Sequence, residues 1–169
     1  MTEPDQLTGG ETPEPIEIER KFLVNSLPEN LETFPHKPIK QGYMVIGTDG
    51  SEARLRDKAG SYTLTVKSKG ELSRGEWETE LTEDQFQALW STTAGKRVEK
   101  TRYEIAHGDS VVELDIYEGD LSGLVTAEVE FSSTTAAELF EPPSWFGSDV
   151  TADKNFKNQQ LALQGIPSA

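Results

Sequence analysis

Apolar and polar residues alternate along most of the chain from about residue 15, and this period of two is typical of β-strands. The alternation, together with turn signals between the runs, predicts eight strands near residues 15–24, 40–47, 51–58, 61–69, 75–81, 96–106, 110–118 and 124–132. Gly60 and the pair Gly108-Asp109 mark turns of the kind that joins hairpin strands. Eight strands with few helices predict a mainly β (α+β) fold, whose antiparallel sheet closes into a barrel or tunnel.

Three helices are predicted between and after these strands. Thr82 and Gln85 have the spacing of a capping box, followed by an apolar stripe. A short second helix is expected at residues 134–140. The last helix is expected to begin near residues 151–153 and to run to about Leu163, with Gly165 as its C-terminal stop.

Nearly every predicted strand is charged on one face and apolar on the other. An ordinary sandwich with its charges in solvent is the default interpretation of such a pattern. However, Glu-x-Glu, Arg-x-Arg and Glu-x-Asp pairs recur with little neutral polar filler, and like charges two residues apart on a strand lie only about 6–7 Å from each other. The apolar stripes of the helices could also cover an apolar outer face. We therefore expect a charged interior and outer helices.

Composition narrows the possible functions. The 169 residues contain no cysteine, which excludes disulfides, thiolate metal sites and a cysteine nucleophile. The formal net charge of −14 argues against binding nucleic acid over an open surface, which needs a basic footprint. No stretch approaches the roughly 20 apolar residues of a membrane helix. We expect no nucleic-acid partner, no membrane, and a monomer or homodimer.

The N-terminal segment is expected to differ from the rest of the chain. Residues 1–14 are rich in Thr, Glu, Pro and Gly and predict a disordered acidic tail before a domain at residues 15–169. The tail has neither a basic n-region nor an apolar run, so it does not predict a signal peptide, and a cytoplasmic location is expected.

Paired carboxylates on the charged face are the candidate metal ligands. Side chains at positions i and i+2 can reach one hard cation, and Mg²⁺ or Mn²⁺ prefers such oxygen donors. The leading candidates are Glu17, Glu19, Glu128 and Glu130; Glu76, Glu78, Glu113 and Asp115 are supporting acids.

Basic residues accompany these acids and suit phosphate oxygens, since Arg offers a planar fork and Lys a compact charge. The candidates are Lys21, Arg54, Arg56, Lys67, Lys100, Arg102 and Lys154. Salt bridges to the neighbouring acids are the alternative role. The two roles are compatible, because acids can hold the bases in position in an empty site.

The ordered set of motifs resembles the CYTH, or triphosphate tunnel metalloenzyme, family. The family's hallmark is an N-terminal Glu-x-Glu-x-Lys strand, here residues 17–21, and the resemblance extends over about residues 15–165. Supporting matches are Arg54-Leu55-Arg56, Leu64-Thr65-Val66-Lys67, Lys100-Thr101-Arg102-Tyr103, Glu113-Leu114-Asp115, Glu128-Val129-Glu130 and Asp153-Lys154.

The resemblance implies an eight-stranded antiparallel tunnel that binds a triphosphate with a divalent metal. Glu19, Glu128 and Glu130 would hold the metal on the triphosphate, and Glu17 a second metal that positions or activates water. The C-terminal helix would plug one end, with Lys154 reaching the substrate. Glu17, Lys21 and Lys154 are the implied catalytic residues, and the other basic residues would grip the phosphates.

The implied activity is hydrolysis of a triphosphate or short polyphosphate, first of all inorganic tripolyphosphate to diphosphate and phosphate. The small size of the chain favours this substrate. Alternatives are an adenylate cyclase or thiamine triphosphatase, and a non-catalytic polyphosphate or nucleotide sensor. One departure is Phe156-Lys157-Asn158, where the plug of related bacterial members often carries an aromatic-Ser-Asn stretch.

Overall fold

A computed structural model of the chain describes residues 18–68 and 76–168. One antiparallel sheet dominates it, as the alternation predicts. Its strands are β1 Ile18–Val24, β2 His36–Ile46, β3 Glu52–Lys58, β4 Ser61–Lys67, β5 Glu76–Leu81, β6 Arg97–His107, β7 Ser110–Tyr117, β8 Val125–Phe131 and β9 Phe146–Asp149. Their spatial order is β5-β4-β3-β2-β6-β7-β8-β1-β9.

The predicted strand count and closure are both corrected. All eight predicted strands form, but β9 pairs with the outer edge of β1 and makes a ninth. Four residues including Gly147 carry too little alternation to predict a strand from sequence. The sheet ends at β5 and β9, and within the described residues no backbone ladder joins these two edges, so it is open rather than a closed barrel.

Outer helices cover the apolar face of the sheet. Helix α1 (Glu83–Trp90) packs on β4 through Phe86, whose ring centroid lies 4.9 Å from that of Tyr62. The predicted capping box is confirmed, since Thr82 and Gln85 exchange backbone-to-side-chain hydrogen bonds of 2.9 and 3.2 Å. Helix α2 (Thr134–Leu139) lies against β1 and β8. Beneath these elements, Phe22, Leu114, Val129 and Phe146 form part of the main apolar core.

The prediction of a single C-terminal helix is wrong. Residues Lys154–Phe156 form one 3₁₀ turn, Lys157 is extended, and only then does helix α3 (Asn158–Gln164) begin. The Asp153 side chain accepts a 2.9 Å hydrogen bond from the backbone N–H of Asn155 and so favours this local turn. Gly165, at φ 77°, ends α3 as predicted.

Helix α3 packs on one end of the charged face of the sheet. Leu161 is 1% exposed and packs with Val98 and Tyr117, which lie on the same face as the charged residues of β6 and β7. The Tyr117 hydroxyl donates a 2.9 Å hydrogen bond to Asn158 Oδ1. An apolar contact and a polar contact therefore both fix α3 over this end. No helix in the described ranges is long and apolar enough to cross a membrane.

Candidate functional site

The charged face of the sheet encloses a cavity of about 190 Å³. Side chains of β1, β2, β3, β4 and β8 line it, although β4 and β1 are far apart in the strand order. The sheet is therefore strongly curved, with its charges on the concave side. The lining residues are Glu19, Lys21, Tyr43, Glu52, Arg54, Lys67 and Glu128 from the strands, and Val150, Thr151, Asp153, Phe156, Lys157, Asn158 and Gln159 from the C-terminal segment.

A dense ion-pair network lies on β6, β7 and β8. Asp115 is fully buried and accepts hydrogen bonds from Lys100 Nζ at 2.5 Å and from Nε and Nη2 of Arg102 at 2.7 Å each. Arg102 also contacts Glu113, and Glu128 at 3.0 Å. Burial on its own would lower the pKa of Arg102, but the hydrogen bonds and charges of these carboxylates raise it above the ordinary value. The salt-bridge role predicted for these two bases is thus present.

Glu128 connects this network to the cavity. Its Oε1 lies 2.8 Å from Lys21 Nζ, and Lys21 is only 9% exposed. Burial would raise the pKa of Glu128, but the charges of Lys21, Lys100 and Arg102 outweigh it and lower that pKa to about 2. Glu128 is therefore a carboxylate at neutral pH.

Two arginines on β3 have fewer acidic partners. Nε and Nη2 of Arg56 donate to the neutral Gln41 Oε1 at 3.2 and 3.1 Å. Arg54 Nη2 donates to Thr65 Oγ1 at 3.4 Å, and its Nη1 approaches Glu52 only to 3.9 Å. The buried Nε of Arg54 has no hydrogen-bond partner among the described atoms. Within the described residues, both guanidinium groups are therefore less fully paired with carboxylates than Arg102 is.

The remaining supporting acids lie toward the open edge. Lys67 Nζ is 3.0 Å from Glu76 on β5, and Glu78 accepts a 2.9 Å hydrogen bond from Thr65. Both Glu76 and Glu78 are exposed. They hold Lys67 and Thr65 in place at this edge.

The predicted metal ligands lie on two paired strands. In the β1–β8 ladder, Glu19 is directly opposite Glu130, and Lys21 is directly opposite Glu128. Glu17 lies outside the described residues. In the ranges 18–68 and 76–168, no group of three or more acidic or histidine side chains is close enough to enclose a metal ion without further ligands.

The C-terminal segment presents a different lysine from the predicted one. Lys157 lines the cavity of about 190 Å³ on the concave face, whereas Lys154 lines a neighbouring cavity of about 850 Å³ beside the β2–β3 turn. Lys157 and Gln159 border both cavities. The 3₁₀ turn followed by an extended residue produces this placement, which a continuous helix would not predict.

Sequence reasoning did not assign Gln41, Tyr43, Glu52 or Lys157 to the site. Gln41 and Tyr43 on β2 lie directly opposite Arg56 and Arg54 on β3 and share their face of the sheet. Strand parity could therefore have indicated both residues. Glu52 likewise shares parity with Arg54 on β3. Lys157 carried no such signal, because its position depends on where the 3₁₀ turn ends.

Comparisons with known proteins agree with the fold. Residues 15–142 match the family model described as the CYTH domain. The inorganic triphosphatase of Nitrosomonas europaea is 49% identical over 148 residues, which cover 87% of this chain and 97% of that protein. The inorganic triphosphatase of Acetivibrio thermocellus is 31% identical over 148 residues, covering 86% of this chain and 92% of that protein.

A solved structure agrees as well. The crystal structure of the inorganic triphosphatase NE1496 superposes with a TM-score of 0.75 at 45% identity, covering 91% of this chain and 98% of that one. Matches of this extent include the strands that carry the cavity. The chain therefore belongs to the CYTH domain family.

Proposed function

We propose that this protein hydrolyses inorganic triphosphate to diphosphate and phosphate on the concave face of its sheet. The observation that carries the proposal is the charge arrangement around the cavity. Arg54 lines it, and the buried Nε of Arg54 has no hydrogen-bond partner among the described residues. The ionised Glu128 lines the same cavity together with Lys21. Two relatives named inorganic triphosphatase, at 49% and 31% identity over most of this chain, support the same substrate.

The basic residues divide into two groups with different roles. Arg54, Lys67 and Lys157 line the cavity, and we assign them to direct contact with phosphate oxygens. Lys100 and Arg102 are already bound to Asp115, so we assign them to holding Asp115 and Glu128 in place. Lys21 belongs to both groups, because it lines the cavity and binds Glu128.

Carboxylates of β1 and β8 fit a divalent cation, Mg²⁺ or Mn²⁺, held jointly with the substrate. Mg²⁺ typically takes one or two carboxylates and completes its shell with phosphate oxygens and water. Glu19, Glu128 and Glu130 offer such oxygens on adjacent strands, and Glu17 remains a proposed further ligand. A divalent cation bound there would neutralise phosphate charge and acidify bound water.

The neighbouring cavity of about 850 Å³ helps to distinguish the inorganic substrate from nucleoside or thiamine triphosphates. It could accommodate the organic group of a nucleoside or thiamine triphosphate, since Lys157 and Gln159 border both cavities. Its lining, among the described residues, consists of the turn 46–50, Lys154, Lys157, Gln159, Gln160 and Leu163. No aromatic side chain is present in that lining to stack on a base or a thiazolium ring, which favours the inorganic substrate.

The test is phosphate release from tripolyphosphate, ATP, thiamine triphosphate and longer polyphosphate, each with Mg²⁺, Mn²⁺ or a chelator. We expect metal-dependent release that is fastest with tripolyphosphate. Faster release from ATP or thiamine triphosphate would make that compound, instead of tripolyphosphate, the proposed substrate. No release from any of them, together with tight triphosphate binding, would favour a sensor.

A further inference from the structure

A buried amide on β2 connects two side chains of the concave face. Gln41 is 1% exposed. Its Nε2 donates a 2.6 Å hydrogen bond to the Tyr43 hydroxyl, and its Oε1 accepts from Nε and Nη2 of Arg56 at 3.2 and 3.1 Å. Because a guanidinium group only donates, the amide oxygen must face Arg56. Gln41 therefore fixes the plane of the Arg56 guanidinium through two hydrogen bonds.

Gln41 differs chemically from the partners of Arg102, the other half-buried arginine in this region. Arg102 is held by Asp115, Glu113 and Glu128, whose charges compensate its own. Gln41 also accepts two hydrogen bonds, both on its single amide oxygen, but it carries no charge. Arg56 is therefore oriented without being neutralised, and Arg54, on the same face of β3, is also poorly compensated.

The surroundings indicate that this positive charge is costly without an anion. Burial, followed by the charges of Arg54 and Arg102, lowers the pKa of Arg56, and the charge of Glu78 offsets only part of this effect. Burial, followed by the charge of Glu52, raises the pKa of Tyr43, which therefore stays protonated at neutral pH and does not supply a counter-charge. An anion that reaches Arg56 would relieve this repulsion.

We propose that Gln41 is a positioning residue, which holds Arg56 in a fixed orientation and leaves its positive charge available to the triphosphate. Arg54 lines the cavity, and Arg56 follows two residues along the same strand face, about 6–7 Å further on. A linear triphosphate bound at Arg54 can therefore extend toward Arg56. This inference rests on the function proposed above and adds the role of a neutral residue in substrate affinity.

The test is calorimetric titration of the full-length protein with tripolyphosphate in the presence of a chelator, so that the proposed metal-dependent hydrolysis does not consume the ligand, combined with steady-state kinetics with Mg²⁺. Gln41→Glu has nearly the same shape and places a carboxylate on Arg56. We expect Kd and KM to rise on the order of tenfold, as for other losses of a buried charge interaction, with a smaller change in kcat. Gln87→Glu adds the same charge at an exposed position of α1 and is expected to leave Kd within about twofold of the wild type.

A coupled variant separates positioning from a structural role. In an Arg56→Gln background, Gln41→Glu is expected to cause no further rise in Kd, because the residue through which Gln41 acts has been removed. If Gln41→Glu does not fold, Gln41→Met keeps a neutral side chain of similar size, and a several-fold rise in Kd that disappears in the Arg56→Gln background supports the proposal. A folded variant with unchanged Kd overturns it.

The same titrations separate this inference from the proposed activity. If the wild type binds triphosphate but releases no phosphate, the hydrolase function fails, while the comparison of Kd values still decides the role of Gln41. If the wild type binds no triphosphate, both proposals fail.

Discussion

At the scale of single residues, Glu128 shows how position sets the state of a carboxylate. It is 14% exposed, yet it remains ionised because Lys21 and Arg102 contact it directly and Lys100 is nearby. The same carboxylate therefore has two roles. It compensates buried cations in the empty protein, and it is a proposed ligand when substrate and metal bind.

The low pKa of Glu128 predicts how the protein responds to acid. Since its folded-state pKa is about 2 and its ordinary value is 4.5, its contribution to stability is fully present above about pH 4.5 and is lost as the pH falls toward 2. We expect Glu128→Gln to lose less of its free energy of unfolding between pH 6 and pH 3 than the wild type does. Urea unfolding at several pH values measures this difference.

A control sharpens the acid experiment. Glu138 is exposed on α2, so Glu138→Gln removes one carboxylate outside the network and is expected to reproduce the wild-type pH dependence. Parallel curves for Glu128→Gln and the wild type would contradict the linkage between Glu128 and the buried cations.

Asp115 is the acid on which the network depends most. It is fully buried and bound to two cations, one of which, Lys100, is only 3% exposed. Asp115→Asn would leave a buried charge without its counter-ion and is expected to lower the free energy of unfolding by about 3–5 kcal/mol. Denaturant titration at neutral pH measures the loss.

Glu113→Gln is the matched variant for Asp115→Asn. Glu113 also binds Arg102, but Arg102 keeps Asp115 and Glu128 when Glu113 is neutralised, and Glu113 is more exposed. We expect a clearly smaller loss for Glu113→Gln. Equal losses for the two variants would show that burial of Asp115 does not determine the cost.

At the scale of elements, the conformation of the C-terminal segment determines which lysine lines the 190 Å³ cavity on the concave face. Lys154 belongs to the 3₁₀ turn and lines the neighbouring cavity, whereas Lys157 follows the turn and borders both cavities. They carry the same charge and are both exposed. They therefore form a matched pair for testing whether the C-terminal segment takes part in triphosphate binding.

We expect Lys157→Ala to weaken triphosphate binding several-fold, and Lys154→Ala to weaken it less, because only Lys157 lines the cavity shared with Arg54 and Glu128. Calorimetric titration with tripolyphosphate in the presence of a chelator, where the proposed hydrolysis does not occur, gives both Kd values. A larger effect of Lys154→Ala would return that residue to the role implied by the family resemblance.

At the scale of the whole molecule, curvature of the sheet brings positive charges together on its concave face, although the chain as a whole is acidic. The chain carries a formal net charge of −14, yet Arg54 and Arg56 lie half-buried on the concave face without full compensation from the described residues. A ligand that brings both anionic oxygens and a cation complements both kinds of group. The protein is therefore expected to be more stable with triphosphate and metal together than with either one.

Thermal and chemical unfolding test this expectation. At 100 times the dissociation constant, tripolyphosphate with Mg²⁺ should add about 2.7 kcal/mol to the free energy of unfolding. Arg54→Gln removes a cavity-lining charge and should reduce this gain at the same ligand concentration. An equal gain in Arg54→Gln would remove Arg54 from the proposed phosphate contacts, and no gain in the wild type would count against the cavity as the triphosphate site.

Much of this arrangement was determined by the sequence alone. Period-two alternation predicted eight of the nine strands, because a side chain's face on a strand depends only on its parity. The capping box and Gly165 predicted helix ends from local hydrogen bonding and backbone freedom. Parity also placed Lys21, Arg54 and Glu128 on one face, and the family followed from the order of the motifs.

Tertiary structure decided what depends on distant partners. Strand β9 forms because β1 offers it an edge, and the sheet remains open because β5 and β9 do not pair in the described part of the chain. The sequence also could not predict which basic side chains are paired with acids. Arg56 binds the neutral Gln41, whereas Arg102 binds three carboxylates. Electrostatic interactions fall off with distance and depend on burial, so only the folded arrangement determines which charges remain available to a substrate.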